Sequence, residues 1–173
     1  MSTPHEVTVA GFDWIHWEPV DRAVLLFLFR GREVLLIHKK RGLGKGKING
    51  PGGRLEPGES FAQAAIRETL EETGVSVSDL EEVAELSFVF VDGHSIYARV
   101  FFAYEFTGEP METDEADPFW HPFDKLPFEQ MWEDDKEWLP PTLEGKYVRG
   151  KFIFDGDKMQ DIEIQCSPRE SRR

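Results

Sequence analysis

The run Gly53-Arg54-Leu55-Glu56-Pro57-Gly58-Glu59-Ser60-Phe61-Ala62-Gln63-Ala64-Ala65-Ile66-Arg67-Glu68-Thr69-Leu70-Glu71-Glu72-Thr73-Gly74-Val75 decides how this chain folds. Ser60 and Gln63 have the spacing of a capping box, in which the serine oxygen accepts from the third helical amide and the glutamine side chain returns the bond. Gly74 suits the left-handed residue that closes a helix, so the spacing predicts one helix over residues 61–73. At about 100° per residue, Glu68, Glu71 and Glu72 share one face, while Ala62, Ile66, Thr69, Leu70 and Thr73 cluster on the other. That spacing is equally the spacing of a solvated helix face. Three like charges within about one turn repel, however, and a divalent cation that takes their oxygens relieves the repulsion.

Upstream, residues 39–54 are rich in glycine and carry Lys39, Lys40, Arg41, Lys45, Lys47 and Arg54 with no acidic residue. Alone, such a segment is a solvated loop. Directly before a carboxylate helix, its free backbone N–H groups and cationic side chains are suited to hold phosphate oxygens. Further out, Ala23 to Phe29 and Glu33 to Ile37 read as a buried hairpin around Gly31. Val83 to Val91 and Ser95 to Phe106 form a second hairpin around Asp92-Gly93, and Tyr147 to Phe154 with Lys158 to Gln165 a third. Residues 107–123 read as an acidic, proline-containing connection. Residues 128–145 read as partly helical, with Pro140 and Pro141 expected to end or bend that helix.

The whole quoted run resembles the box of the Nudix hydrolase family: glycine, five residues, glutamate, seven residues, Arg-Glu, an apolar residue, any residue, Glu-Glu, any residue, glycine, an apolar residue. Every charged and glycine position matches, and the one departure is Thr69 at a nominally apolar place. The resemblance implies an α+β fold, the Nudix α/β/α sandwich, with a mixed β-sheet and the box as loop-helix-loop. It implies a domain over residues 23–166, with an N-terminal arm of unclear role at 1–22 and a flexible tail at 167–173. It further implies Mg²⁺, with Mn²⁺ as a substitute, held by Glu68, Glu71, Glu72 and the Gly52 carbonyl. Arg67 orients a box glutamate, Glu59 supports the loop-helix junction, and Glu72 is the candidate base for the attacking water.

Beyond the box, residues 23–165 are similar to the oxidised purine nucleoside triphosphatases of that family. The likeness is carried by Lys39 to Gly44, Asn49 to Gly53, Phe88-Val89-Phe90, Asp114-Glu115 with Trp120, and Leu126 to Asp135. It implies hydrolysis of 8-oxo-dGTP or 2-hydroxy-dATP to the monophosphate and pyrophosphate, a sanitation of the nucleotide pool. Asp134 and Asp135 are then expected at the purine edge, Asn49 beside it, Trp132 stacked on the base, and Phe88 and Phe90 as apolar walls. Lys39, Gly52, Gly53 and Arg54 are expected near the nucleotide, and Glu115 as a further metal ligand. Two adjacent aspartates also suit a helix N-terminus without any ligand. Leu43 and Ile48 stand where those enzymes carry aromatic residues, and their pocket threonine has no counterpart near Ala23 or Val24. Alternatives are a Nudix hydrolase of ADP-ribose or an unmodified nucleotide, and a nucleotide sensor without turnover; sensors commonly lose the box carboxylates that are complete here.

Composition narrows the partners. With 20 Lys+Arg against 33 Asp+Glu, the 173-residue chain carries a formal net charge of −13. That charge opposes broad binding to nucleic acid or to an anionic membrane. The only cysteine is Cys166, which excludes an internal disulfide. No apolar run reaches bilayer length, and no secretory signal pattern opens the chain. A cytoplasmic protein is expected, with a small nucleotide as partner and a monomer favoured over an oligomer.

Overall fold

The computed structural model describes residues 7–170. In chain order its elements are β1 (Asp21–Arg30), β2 (Glu33–Lys39), β3 (Ile48–Asn49), β4 (Gly52–Arg54), α1 (Phe61–Thr73), β5 (Ser76–Ser78), β6 (Glu81–Phe90), β7 (Ser95–Ala103), β8 (Glu105–Thr107), β9 (Ala116–Pro122), α2 (Asp135–Leu143), β10 (Lys146–Asp155) and β11 (Lys158–Pro168). Short 3₁₀ turns cover Phe123–Lys125 and Phe128–Gln130. The main sheet runs β11-β10-β6-β7-β1, with β4 on the far side of β1. It is mixed: β1 with β7 and β6 with β10 are parallel, while β6 with β7 and β10 with β11 are antiparallel hairpins.

Alternation along these strands sets the layers. Phe88 and Phe90 of β6 and Phe152 and Phe154 of β10 face one side, where they pack with α2 residues Trp138 and Leu139. Val24, Leu26 and Leu28 face the other side, under Ala64 and Ala65 of α1. The sandwich expected from the sequence is therefore present.

Helix α1 has the predicted bounds. Ser60 Oγ accepts from the Gln63 amide at 3.1 Å, Gln63 Oε1 accepts from the Ser60 amide at 2.9 Å, and Gly74 closes the helix at φ 79°. A serine cap of this kind is worth about 1 kcal/mol.

Four details differ from the sequence expectation. The basic segment is not all loop, because β3 pairs β2 and β4 pairs β1. The connection at 107–123 contains β9, which pairs along all of β2 from Glu33↔Pro122 to Lys39↔Ala116. Helix α2 runs through Pro140 and Pro141. The amides these prolines lack would have bonded the carbonyls of Lys136 and Glu137, which belong to exposed residues of the helix. Lastly, β11 continues to Pro168, and Arg169 donates to the carbonyls of Thr142 and Lys146, so the ordered chain passes residue 166. Residues 171–173 of the expected tail lie outside the described residues.

Residues 7–20 of the N-terminal arm neither line the pocket nor form a strand, while its last two residues, Asp21 and Arg22, begin β1. Val9 is buried on Val89 and Ile153, with Phe12, Trp14 and Trp17 around it. The Val9 amide donates to Asp161 Oδ2 at 2.8 Å, and the Trp14 indole donates to the Val9 carbonyl at 2.9 Å. Because Val89 and Ile153 alternate with Phe88 and Phe154, the arm lies on the sheet face opposite the aromatic wall.

Candidate active site

A cavity of about 530 Å³ lies between the α2 face of the sheet, the segment 39–54 and the start of α2. Its floor draws mainly on one side-chain parity of each strand: Asp21, Ala23 and Leu25 of β1, Ile96 and Ala98 of β7, Phe88 and Phe90 of β6, and Phe154 of β10, with Val24 also at its edge. Ala23 and Ala98 are register partners, so two methyl groups leave the middle of the floor deep.

At one end stand three carboxylates. Oxygens of Glu68, Glu72 and Glu115 lie within 4.8 Å of one another. Glu72 is 4% exposed, and its Oε2 accepts from the Gly52 amide at 3.1 Å. Burial pushes its carboxyl up to about 8, with Glu68 and Glu115 adding repulsion and the Gly52 amide and Lys39 opposing. Glu68 is also raised, chiefly by burial, against the pull of Arg67. An all-oxygen set of three convergent acids, two of them held above their ordinary proton affinity, fits a hard divalent cation.

Arg67 ties this end together. Its Nε and Nη2 reach the two oxygens of Glu59 at 2.7 and 2.9 Å, its Nη1 reaches Glu68 at 2.8 Å, and its Nη2 also donates to the Arg54 carbonyl at 3.0 Å. This fork draws the Glu59 carboxyl down to about 2. Glu71, grouped with its neighbours by helix periodicity, stands apart from the cluster: it is exposed and accepts from Arg67 at 3.2 Å. Glu115 is placed by a clasp that sequence inspection did not foresee. Thr113 Oγ1 donates to the Glu72 carbonyl at 2.9 Å and accepts from the amides of Glu115 and Ala116 at 3.3 Å. Arg41 donates to Glu115 at 3.1 Å.

At the other end Trp132 stands edge-on to Phe90 and Phe154, with ring centroids 6.4 and 5.7 Å apart. Lys47 Nζ lies 5.2 Å from its ring. The loop passes so close that a Cβ on Gly44, at φ +82°, would meet Trp132 Nε1 at 2.9 Å. Asp134 and Asp135 are buried at 3% and 2% exposure, and both line the cavity. Asp134 begins α2 by position but makes no side-chain cap. Its Oδ2 instead accepts from Trp138 Nε1 at 2.8 Å, while the same indole reaches Asp135 Oδ1 at 3.1 Å and the Trp132 amide reaches Asp135 Oδ2 at 3.2 Å. Burial pushes both carboxyls up, Asp134 to about 6 and Asp135 further through its neighbour's charge. Near neutral pH the pair is held short of two full charges, so it can present a donor as well as acceptors.

Of the other expected residues, Lys39, Asn49, Gly52, Gly53 and Arg54 all line the cavity. Asn49 Oδ1 accepts from the Gly50 amide at 2.9 Å, which leaves its NH₂ to donate. Leu43 lines the cavity, whereas Ile48 is buried in the core. Sequence inspection did not single out Asp21, His94, Phe154 or Thr113, whose places depend on strand register or on contacts between distant segments, nor Trp138, which meets Asp134 and Asp135 through the local spacing of α2.

The chain is similar to known proteins in both sequence and fold. The NUDIX domain model matches residues 19–141. The chain is 43% identical over 133 residues to the oxidized purine nucleoside triphosphate hydrolase of Danio rerio, covering 76% of this chain and 85% of that one. It is 39% identical over 147 residues to the protein of the same name from Mus musculus, covering 84% and 92%. Among solved structures, the MutT protein from Bacillus halodurans superposes with a TM-score of 0.73 at 27% identity, over 84% of this chain and 97% of that one.

Proposed function

Because the chain belongs to the NUDIX family, we propose that it hydrolyses oxidised purine nucleoside triphosphates, such as 8-oxo-dGTP and 2-hydroxy-dATP, to the monophosphate and pyrophosphate. The observation that carries this reading is one cavity with a carboxylate cluster at one end and the buried Asp134–Asp135 pair at the other. The vertebrate relatives named above supply the substrate class. Glu68, Glu72 and Glu115 are assigned the divalent cation, Mg²⁺ or in its place Mn²⁺, with Glu71 and the Gly52 carbonyl as further ligands. When bound, such a cation neutralises phosphate charge and eases loss of a proton from the attacking water.

The chain's own groups then have distinct tasks. Arg67 fixes Glu68 and Glu59, so the acids need not reorganise as charge develops. Glu72 takes the proton of the attacking water. Lys39 and Arg54 attract the polyphosphate beside Gly52 and Gly53, in a protein whose overall charge would repel it. Trp132 stacks on the base, Phe88 and Phe90 wall it, and Asn49 adds an amide donor. Asp134 and Asp135 meet the purine edge, where a carboxyl kept neutral donates to an oxo or N7 acceptor and its ionised partner accepts from a ring N–H. Pool sanitation is the role that fits such an activity, and a cytoplasmic location fits that role. Among the described residues no helix is long and apolar enough to cross a membrane.

The test is pyrophosphate release with Mg²⁺ from 8-oxo-dGTP, 2-hydroxy-dATP, dGTP, dATP and ADP-ribose, with Glu72→Gln as the comparison. Preference for an oxidised purine, lost in the variant, supports the reading. Preference for dGTP, dATP or ADP-ribose discards the substrate, and no turnover in the wild type favours a sensor.

A further inference from the structure

Trp138 does not line the cavity, yet its indole N–H is spent entirely on the two residues assigned to the base. It is fully buried, at 0% exposure, and packs edge-on against Phe27 at 6.1 Å. An indole needs only one acceptor to be buried without penalty. Here one N–H serves two carboxylates, at 2.8 Å to Asp134 Oδ2 and 3.1 Å to Asp135 Oδ1. Helix geometry makes this possible, since residues three and four positions apart share a face. Asp134 gives up the cap that an aspartate at a helix start ordinarily makes, and turns toward the indole instead.

The consequence is directional. An N–H can only donate, so on their inner side both carboxylates are confined to accepting. With the Trp132 amide on Asp135 Oδ2, three of the four oxygens face N–H donors supplied by two tryptophans. The proton that the pair retains is thereby kept from the indole side and shared between the two carboxyls, which are hydrogen-bonded to each other, so the indole fixes the geometry of that shared proton as well. We propose that Trp138 is the positioning residue for base recognition: its shared indole N–H sets the joint orientation of Asp134 and Asp135, and so the donor and acceptor pattern shown to the purine. This deepens the function proposed above and rests on the base-reading role assigned there to the aspartate pair.

The experiment compares Trp138→Phe with Leu139→Ala, a neighbour equally buried in α2 that carries no polar side-chain atom. Both variants loosen the core, but only the first removes the N–H. Values of kcat and KM are measured with Mg²⁺ for 8-oxo-dGTP, 2-hydroxy-dATP and dGTP, alongside Tm. Loss of one hydrogen bond to charged acceptors corresponds to about a tenfold effect. In Trp138→Phe, KM for the preferred nucleotide is expected to rise about tenfold or more with kcat within roughly threefold, and the ranking of the three to flatten. Leu139→Ala is expected to keep the wild-type ranking. An unchanged ranking in Trp138→Phe overturns the proposal, and so does equal flattening in Leu139→Ala. If the wild type instead prefers dGTP, the oxidised-purine reading fails while Trp138 is still judged by whether its variant alters that preference. A measurement on the intact protein covers a Trp138→Phe chain that does not fold. The Trp138 indole N–H resonance should shift on adding the monophosphate of the preferred nucleotide and stay fixed with Mg²⁺ and pyrophosphate; no shift with the monophosphate overturns the proposal.

Discussion

Gly53 and Glu68 approach so closely that a Cβ on the glycine would lie 2.4 Å from the carboxylate carbon of Glu68. The glycine is thus part of the acidic cluster's geometry, although it contributes no side chain. Its φ lies outside the left-handed region, so alanine fits the backbone and only the contact is at issue. Gly53→Ala is expected to displace Glu68 by an ångström or so and lower turnover by roughly 100-fold. Turnover and Tm together check this: the activity should fall while Tm stays within a few degrees. A variant with near wild-type turnover would show that the place of Glu68 is not critical.

Glu59 supports the same cluster from behind. The Arg67 fork draws its carboxyl from 4.5 to about 2. A carboxyl with a lowered folded-state pKa contributes stability above its unfolded value and loses that contribution as pH falls toward the folded value. Wild-type stability should therefore drop between about pH 4.5 and 2 through this ion pair, and Glu59→Gln should lack that part of the acid dependence. Thermal melts at steps from pH 5 to 2 decide the matter; parallel curves for the two proteins would count against the pairing.

Asp134 has the opposite sign. Burial raises its carboxyl from 3.8 to about 6, so the folded state keeps a proton that the unfolded chain has already released. The folding advantage is greatest below pH 3.8 and is lost as pH rises through about 6. Asp134→Asn keeps an acceptor for the Trp138 N–H and carries no charge. Relative to wild type it should gain stability as pH climbs from 4 to 7, and should change the ranking of 8-oxo-dGTP against 2-hydroxy-dATP. A pH-independent stability difference would mean that Asp134 is not titrating in this range.

What the sequence disclosed about α1 was local chemistry. Ser60, Gln63 and Gly74 specify a helix start and stop within their own neighbourhood, so its bounds and its acidic face were legible. The hairpins around Gly31, Asp92-Gly93 and Asp155-Gly156 were legible for the same reason. Strand β9 was not: Asp117, Pro118, His121 and Pro122 lack clean alternation, and the segment is extended only because β2 offers a ladder. Phe154 joins the aromatic wall through its parallel register with Phe90, which nothing near either residue encodes. Glu71 illustrates the converse, since helix periodicity placed it with Glu68 and Glu72 while the fold leaves it exposed, joined to Glu68 through a shared Arg67 Nη1. For the base pocket, Trp132, Asp134 and Asp135 were legible through family resemblance, whereas the Trp138 bond that joins the two aspartates required the packed helix.

Thr113 offers the sharpest test of how Glu115 enters the site. The hydroxyl spans the Glu72 carbonyl at the end of α1 and the amides of Glu115 and Ala116, so it sets the distance between two of the three clustered acids. Thr113→Val keeps the shape and removes the O–H, leaving the Glu72 carbonyl and two amides without that partner. Net loss of such hydrogen bonds is worth about 1–1.5 kcal/mol, equivalent to a five- to tenfold weakening of Mg²⁺ or Mn²⁺ if Glu115 is a ligand. Titration calorimetry with Mn²⁺ and no nucleotide reads this directly. Glu115→Gln should weaken the ion at least as much, and adding Thr113→Val to it should cost little more, because the clasp then has no ligand to place. If the two substitutions instead weaken the ion additively, Thr113 acts on the cation through Glu72 alone and Glu115 is not held for the metal by this clasp.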